Sequence, residues 1–200
     1  MLDARRDQLT ALAAGSGVFL VSAALAWDDN ITSGEESLFE FINGWPDFIA
    51  WPLYPVMQFG MVVAPFMAGA LAWYLTRKRQ PALALVSTGF GMWLFAKLVK
   101  AVVDRPRPGG LQLDEAINYR IDGGPDGLGF VSGHAAVGFV IAIIATPYVD
   151  RRWAAVLWAL ATGAATLRVY VGAHLPLDSI GGAGLGIAAG AVALLIVRRR

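Results

Sequence analysis

Long apolar stretches separated by short polar segments dominate the hydrophobic pattern of this chain. Six of them approach the roughly 20 mostly apolar residues that a membrane-spanning helix needs. The predicted spans are Leu9–Trp27, Leu53–Leu75, Pro81–Val103, His134–Val149, Trp153–Tyr170 and Leu177–Val197. The pattern therefore predicts an all-α, polytopic membrane protein, with six transmembrane helices in one bundle and a single domain over residues 1–200.

Two of the predicted spans have further features. The first stretch ends in Trp27-Asp28-Asp29, which does not resemble the small-residue cleavage site of a signal peptide. We therefore expect this stretch to stay in the protein as a span. In the second stretch, Pro65 lies inside the apolar run, so we expect it to kink that helix.

The basic residues predict the orientation. Four clusters fall on one side of a six-span arrangement: Arg5-Arg6, Arg77–Arg79, Arg151-Arg152 and Arg198–Arg200. Because cytoplasmic loops carry the excess of Lys and Arg, both termini are expected in the cytoplasm. These clusters are then topology anchors rather than binding patches.

Six basic residues remain, and they lie at or beyond the opposite face. They are Lys97, Lys100, Arg105, Arg107, Arg120 and Arg168. Since they run against the positive-inside bias, an anionic ligand is the simplest explanation for them.

The outer segment Asp28–Trp51 predicts a short helix between spans one and two. Ser33–Glu36 and Ser37–Glu40 both resemble capping boxes, and the tryptophans that follow favour the membrane–water interface. We expect an amphipathic helix lying at that interface. It could be a plain anchor, or it could border the entry route for a lipid tail.

The composition indicates a membrane protein rather than a soluble one. Hydrophobic residues make up 56% of the chain and charged residues only 16%, whereas soluble domains carry about 25% charged residues. The absence of cysteine excludes disulfides, thiolate nucleophiles and cysteine metal sites, and the presence of only two histidines argues against a multi-histidine metal site. A net charge of +1 gives no reason to expect a nucleic acid partner.

A second outer loop, Asp104–Val131, joins spans three and four and is rich in Gly, Pro and Asp. Loops of this length are usually functional. At its start lie Lys100 and Arg107, followed by Pro108. Arg offers a planar fork for phosphate oxygens and Lys a point charge. The alternative is a basic helix end that reaches the lipid headgroups.

The end of this loop carries Ser132-Gly133-His134, immediately before span four. A helix N-terminus presents free N–H groups and is a ready anion site. Ser132 can cap the helix or donate to a phosphate, and Gly133 allows close backbone approach. Alone, a histidine at this position would more often be structural.

The third polar cluster comprises Arg168, His174 and Asp178. Charged groups at membrane depth tend to mark function. His174 and Asp178 are four residues apart, so one helical turn could align them. A carboxylate that accepts one ring N–H fixes the tautomer and raises the basicity of the other nitrogen. The alternative is a satisfied polar pair at a loop.

Taken jointly, the three clusters resemble the signature of the type 2 phosphatidic acid phosphatase (PAP2) superfamily. That signature is Lys, six residues, Arg-Pro; then Pro-Ser-Gly-His; then Ser-Arg, five residues, His, three residues, Asp. The chain departs from it twice, with Val131 where proline is usual and Leu167 where serine is usual. Neither departure removes a group that performs chemistry.

The resemblance implies phosphoryl transfer in two steps, without a metal or other cofactor. His174 would be the nucleophile that forms a phosphohistidine, Asp178 its orienting carboxylate, and His134 the general acid and base. The phosphate-binding groups would be Lys100, Arg107, Ser132, Gly133 and Arg168. The location implied is a bacterial inner or plasma membrane, with the active site on the outer side.

The implied substrate is a lipid phosphate or diphosphate, such as phosphatidate, phosphatidylglycerophosphate, polyprenyl diphosphate or a polyprenyl-linked sugar phosphate. The sequence does not rank these, and it indicates no protein partner. Two alternatives stay open. A non-hydrolytic lipid-phosphate binder or carrier would need the cations but not the His–Asp pair, and a phosphotransferase would use the same residues.

Overall fold

The computed structural model describes residues 2–27, 31–111, 113 and 116–197, with side chains from residue 5 onward. Within these ranges the regular structure is helical, and the all-α prediction is confirmed. The α-helices are α1 Leu2–Ala26, α2 Ser33–Asn43, α3 Ala50–Met57, α4 Ala64–Thr76, α5 Arg79–Val103, α6 Gly133–Ala145, α7 Arg151–Tyr170 and α8 Pro176–Val197. Short 3-10 helices are Asp47–Ile49, Gln58–Gly60, Pro108–Gly110 and Thr146–Tyr148.

Among the described residues, three helices are long and apolar enough to cross a membrane. They are Arg5–Ala26, Arg79–Val103 and Pro176–Val197, and a fourth crossing is added if the bent pair Asp47–Gly60 and Ala64–Thr76 forms one span. The apolar segment Gly133–Tyr148 is shorter. The chain is thus a membrane-spanning protein, while the count of six spans stays a prediction.

The second predicted span is not one kinked helix. It is divided at a break before α4, where the two halves are bent by 72°. Pro65 lies in the first turn of α4 rather than in a helix interior. The first turn tolerates proline because its N–H groups have no intrahelical partner there. The predicted kink is therefore wrong: the chain does not continue as one bent helix but begins a new helix at Ala64.

Helix α6 forms the centre of the bundle and packs against α5, α7 and α8, while α1 packs on α8. Its residues from Ala135 to Ile144 are all buried. Small residues bring α8 close to α6: a Cβ at Gly182 or Gly186 would collide with the carbonyl oxygens of Ser132 and Ala136. The glycines of α8 thus serve close helix packing, and they fix the start of α6 beside α8.

Helix α2 is amphipathic. Its N-cap is Thr32, whose side-chain oxygen accepts the N–H of Glu35 at 3.2 Å, so the cap lies one residue before the expected Ser33. Glu35 and Phe39 are buried, whereas Phe41 is 68% exposed. Its position at the membrane interface stays a prediction. Residues 28–30, which precede it, and the basic cluster Arg198–Arg200 lie outside the described residues.

The loop between α5 and α6 is closed on itself at its base. Arg107 donates its backbone N–H to the carbonyl of Gly127 at 3.0 Å, and Gly129 donates to the carbonyl of Arg105 at 2.7 Å. A single bridge also pairs Pro106 with Leu128. The two ends of the loop are therefore held side by side, which brings the first polar cluster next to the second.

Candidate active site

His174 and Asp178 face each other at the start of α8. His174 lies in the turn before the helix, and Asp178 lies in its first turn after Pro176. Oδ2 of Asp178 is 3.3 Å from Nδ1 of His174 and accepts the N–H of Leu175 at 3.0 Å. The carboxylate is fully buried and the imidazole is 3% exposed. With Nδ1 turned to the carboxylate, Nε2 is the ring nitrogen left for chemistry.

The start of α6 joins this pair through the backbone. Ser132 is the N-cap, and its Oγ accepts the N–H of Ala135 at 3.5 Å. Its own N–H donates to the carbonyl of Asp178 at 2.9 Å. Gly133 and His134 open the helix and are partly exposed. The second and third clusters therefore meet where a helix N-terminus can accept an anion.

Three cations surround the two histidines. Lys100 donates from Nζ to the carbonyls of Leu128 and Gly129, each at 2.6 Å. Arg168 is 5% exposed, and its Nη2 donates to the carbonyl of Asp122 at 3.2 Å. The third cation is Arg107, whose backbone holds the base of the loop.

Two of these cations carry unused donors. The Nε atoms of Arg107 and Arg168 are buried and have no hydrogen-bond partner among the described residues. A buried donor without a partner costs about 1–3 kcal/mol, and more when charged. An anion that accepts from both guanidinium groups would remove this cost, so the arrangement suits a phosphate.

The charges of the site act on both histidines. Burial lowers the pKa of His174 well below its usual range, and the positive charges of Lys100 and Arg168 lower it further. Arg107 contributes in the same direction. His174 is therefore neutral at neutral pH, which is the form a nucleophile needs. The same three cations are electrostatic neighbours of His134, so the predicted residues share one environment.

The other three of the six basic residues have partners within the protein. Lys97 lies 3.8 Å from the centroid of the Trp93 ring, Arg105 pairs with two buried carboxylates, and Arg120 bonds to Asp47 and to backbone carbonyls. The expectation that an anionic ligand explains all six basic residues is therefore wrong for these three, because their positive charges already have protein partners.

Sequence reasoning missed Arg105 as part of the site. Its guanidinium is fully buried, and Nη1 lies 3.2 Å from Oδ1 of Asp178. The only signal in the sequence was that Arg105 stands two residues before Arg107 in an Arg-Pro-Arg-Pro run. Nothing in that run distinguishes Arg105, which faces the Asp178 carboxylate, from Arg107, which is an electrostatic neighbour of the two histidines.

The two departures from the PAP2 pattern lie in apolar surroundings. Val131 is fully buried in a cluster with Ala96 and Phe130. Leu167 is 5% exposed and packs in a cluster with Met57 and Tyr170. Both side chains thus contribute to packing beneath the site.

An apolar cavity of about 690 Å³ lies beside α4. Its lining includes Phe59, Ala68, Leu75, Ile141 and Leu157. Phe59 directly precedes Gly60, where a Cβ would collide with the backbone of His134. The cavity follows α4 and the second half of α6, where Ile141 and Ala145 line it, and none of the candidate-site residues belongs to its lining.

Comparison with known proteins gives consistent results. The sequence profile described as the PAP2 superfamily matches residues 80–200. The Escherichia coli protein YbjG, provisionally named as an undecaprenyl-diphosphatase, is 33% identical over 155 residues, which cover 73% of this chain and 74% of YbjG.

Two crystal structures share the fold. LpxE from Aquifex aeolicus has 23% sequence identity and a TM-score of 0.68, and the superposition covers 80% of this chain and 93% of the LpxE chain. The first transmembrane PAP2 type phosphatidylglycerolphosphate phosphatase from Bacillus subtilis has 18% identity and a TM-score of 0.75, covering 93% and 96%. At these identities the likeness concerns the fold.

Proposed function

Because the chain belongs to the PAP2 superfamily, we propose that it is a membrane phosphatase that hydrolyses a lipid phosphate or diphosphate at the outer face of the membrane. The observation that carries the proposal is the buried pair of His174 and Asp178, 3.3 Å apart, with Lys100, Arg107 and Arg168 as electrostatic neighbours that lower the pKa of His174 in addition to burial. A site that only bound an anion would need the cations but not this imidazole–carboxylate pair.

The first step is transfer of the phosphoryl group to the enzyme. Nε2 of His174 attacks phosphorus, and the P–N bond forms while the P–O bond to the lipid breaks. His134, which must enter this step as the imidazolium, gives its proton to the departing oxygen, and general acid help of this kind is typically worth about 10²–10⁴-fold in rate. Asp178 stabilises the positive imidazole ring of the phosphohistidine.

The second step is hydrolysis of the phosphohistidine. Water attacks phosphorus while His134 takes its proton, the P–N bond breaks, and inorganic phosphate leaves. Throughout, the phosphoryl oxygens are held by positive groups and by N–H and O–H donors, which stabilise the charge that develops in the transition state. In this proposal the donors are Lys100, Arg107, Ser132, Gly133 and Arg168.

The apolar cavity beside α4 supports a lipid rather than a soluble phosphate ester. It is lined largely by apolar side chains, and its lining residue Phe59 directly precedes Gly60, which lies against the backbone of His134. A hydrocarbon tail in this cavity would therefore lie on the same side of α6 as His134. Two substrates are the first to test. One is a polyprenyl diphosphate, as in the name of the E. coli relative, and the other is phosphatidylglycerolphosphate, as in the name of the B. subtilis phosphatase.

Phosphate release from a panel of lipid phosphates and diphosphates tests the activity. We expect the purified protein to release phosphate in the presence of EDTA and to be inhibited by vanadate, which mimics five-coordinate phosphorus. His174→Ala should release none while still binding the lipid. Release at the wild-type rate by His174→Ala would contradict the nucleophile. A lipid that binds without release would favour a carrier, and transfer to an alcohol without free phosphate would favour a phosphotransferase.

The proposed topology has six spans, both termini in the cytoplasm and the site outside. The chain has no cysteine, so single cysteines can be labelled without background. A cysteine in place of Gly124, where a Cβ meets nothing within 4 Å, should react with an impermeant reagent in intact cells. The matched control, Lys78→Cys in the turn between α4 and α5, should react only after lysis. The reverse pattern would overturn the orientation.

A further inference from the structure

A buried ion network connects α2 to the candidate nucleophile. The Arg105 guanidinium meets Glu35 through two bonds, Nη1 to Oε1 at 3.1 Å and Nη2 to Oε2 at 2.7 Å. Its Nη1 also lies 3.2 Å from Oδ1 of Asp178. Glu35 in addition accepts the N–H of Leu177, in the first turn of α8, at 3.0 Å. One arginine thus joins two carboxylates that are more than 140 residues apart in sequence.

The network is expensive unless every member is paired. Arg105 is fully buried, Asp178 is fully buried and Glu35 is 6% exposed. Charges at such depth persist only with partners and good geometry. The planar fork of arginine supplies that geometry for Glu35, and the two carboxylates together raise the pKa of Arg105 even though burial acts against its charge.

The network uses the oxygen of Asp178 that the imidazole does not. Oδ1 faces Arg105, while Oδ2 faces His174 and accepts from Leu175. A Cβ at Gly129 would approach Oδ2 to 2.7 Å, so this side of the carboxylate is closely covered. With both oxygens engaged from different directions, the carboxylate has one orientation, and that orientation sets the plane of the His174 ring.

We infer that Arg105 and Glu35 are positioning residues for the nucleophile: Arg105 holds Asp178 against His174, and Glu35 holds Arg105. This inference rests on the proposed function. Neither residue belongs to the set that faces the phosphate, so their loss should slow the chemical step and leave phosphate binding intact. Residues that orient metal-binding histidines through a hydrogen bond are typically worth about 10–100-fold, and we expect an effect of similar size for this metal-free pair.

Three variants and one control test the inference in the full-length protein in detergent. Glu35→Gln keeps the volume and removes the charge, Arg105→Lys keeps a charge that reaches one carboxylate, and Arg105→Met removes both contacts. The control is Asp47→Asn, which removes the carboxylate partner of Arg120 at a side chain that is 85% exposed. The measurements are kcat, KM, the rate of phosphoenzyme formation, the inhibition constant of inorganic phosphate, and thermal unfolding.

We expect kcat and the phosphoenzyme rate to fall about tenfold in Glu35→Gln and about 100-fold in Arg105→Met, within the range of effects known for orienting residues. The loss of kcat in Arg105→Lys should lie between these two values, and Asp47→Asn should have the kcat of the wild type. KM and inhibition by phosphate should change less than about threefold. Because Glu35 acts on Asp178 through Arg105, adding Glu35→Gln to Arg105→Met should lower kcat little further in the double variant.

The inference is overturned if folded Arg105→Met keeps a kcat within about twofold of the wild type, well short of the effect expected of an orienting residue. It is also overturned if the variants lose phosphate inhibition in parallel with kcat, since that would place Arg105 in binding. If Arg105→Met does not fold, the same criteria are applied to Glu35→Gln. If neither variant folds, the network has only a structural role and the inference is overturned. Absence of phosphate release by the wild type would instead contradict the proposed function.

Discussion

Two basic regions lie on the same side of the molecule, and their arginines differ in how their N–H groups are used. At the candidate site, Nε of Arg168 is buried without a partner among the described residues. In the second region, which we call the Arg120 anchor, Arg120 bonds to Asp47 at 2.7 Å and to the carbonyls of Asn43, Tyr170 and Trp45 at 2.7 to 2.8 Å.

Of these two arginines, Arg168 keeps an unpaired donor, whereas Arg120 uses its donors within the protein. The Arg120 anchor ties the loop between α5 and α6 to the end of α2 and the end of α7, and Asn43 reinforces it with bonds to the carbonyls of Asn118 and Tyr170 at 3.0 Å. An unpaired Nε alone does not identify a ligand-binding arginine, because Nε of Arg105 is also buried without a partner among the described residues. Under the proposed function, a bound phosphate would accept from Arg107 and Arg168 and remove the cost of their unpaired donors.

Removing a site cation should have the largest effect. Arg168→Met should lower kcat/KM by about 10²–10³-fold, the usual cost of removing one preorganised donor to a developing oxyanion. Because an unpaired buried donor disappears, thermal stability should stay the same or rise. Steady-state kinetics and thermal unfolding in detergent measure both quantities. A stable variant with undiminished kcat/KM would place Arg168 outside the reaction.

Removing the anchor should have the opposite profile. Arg120→Met should lower the free energy of unfolding by about 3 kcal/mol, since several charge-assisted hydrogen bonds are lost. Its kcat/KM per folded molecule, measured well below the unfolding temperature, should match that of the wild type, because Arg120 does not face His174. A stable but inactive Arg120→Met would erase the distinction between the two regions.

A third change sharpens the electrostatic part of the comparison. The pKa of His174 lies well below its usual range through burial and then through Lys100, so the nucleophile stays neutral as pH falls through the ordinary pKa of histidine, about 6.5. Lys100→Met should raise that pKa, and the acidic limb of kcat/KM should then move to higher pH. The profiles of variant and wild type are compared on one substrate. An unmoved limb would show that another group controls it.

The smallest effect is expected at the exposed edge of the anchor. Asp47 is 85% exposed although it pairs with Arg120 at 2.7 Å. Exposed ion pairs contribute about 0–1 kcal/mol, so Asp47→Asn should shift stability by no more than that and leave kinetics unchanged. A loss comparable to that of Arg120→Met in thermal unfolding would mean that the carboxylate, rather than the carbonyls, holds the anchor together.

Much of the site was predictable because its chemistry is local in sequence. The four-residue spacing of His174 and Asp178 predicted that they would meet, and they do, although His174 lies in the turn before α8 rather than on its first turn. The Ser-Gly-His run begins an apolar helix, as the sequence predicted. Together with the order of the three clusters along the chain, these local patterns suggested a common pocket. The all-α class followed equally directly from the apolar stretches.

The rest depended on contacts distant in sequence. Glu35 lies between the two functional positions of the predicted capping box, Ser33 and Glu36, and had no predicted role; only the fold brings it to Arg105. In the same way, the sequence does not distinguish the roles of Arg105, Arg107 and Arg120. Their burial and hydrogen bonds in the folded protein do. The broken second span also escaped prediction, because proline is compatible both with a kink and with the first turn of a new helix.

Direct identification of the phosphorylated residue tests the central claim most sharply. The protein is mixed with a substrate labelled in the transferred phosphate, quenched at alkaline pH, where phosphohistidine survives, and digested for mass spectrometry. We predict phosphate on the peptide that contains His174, accumulation of that species in His134→Ala, and none in His174→Ala. Rapid phosphate release with no label on His174, or with label on a different residue, would contradict the account.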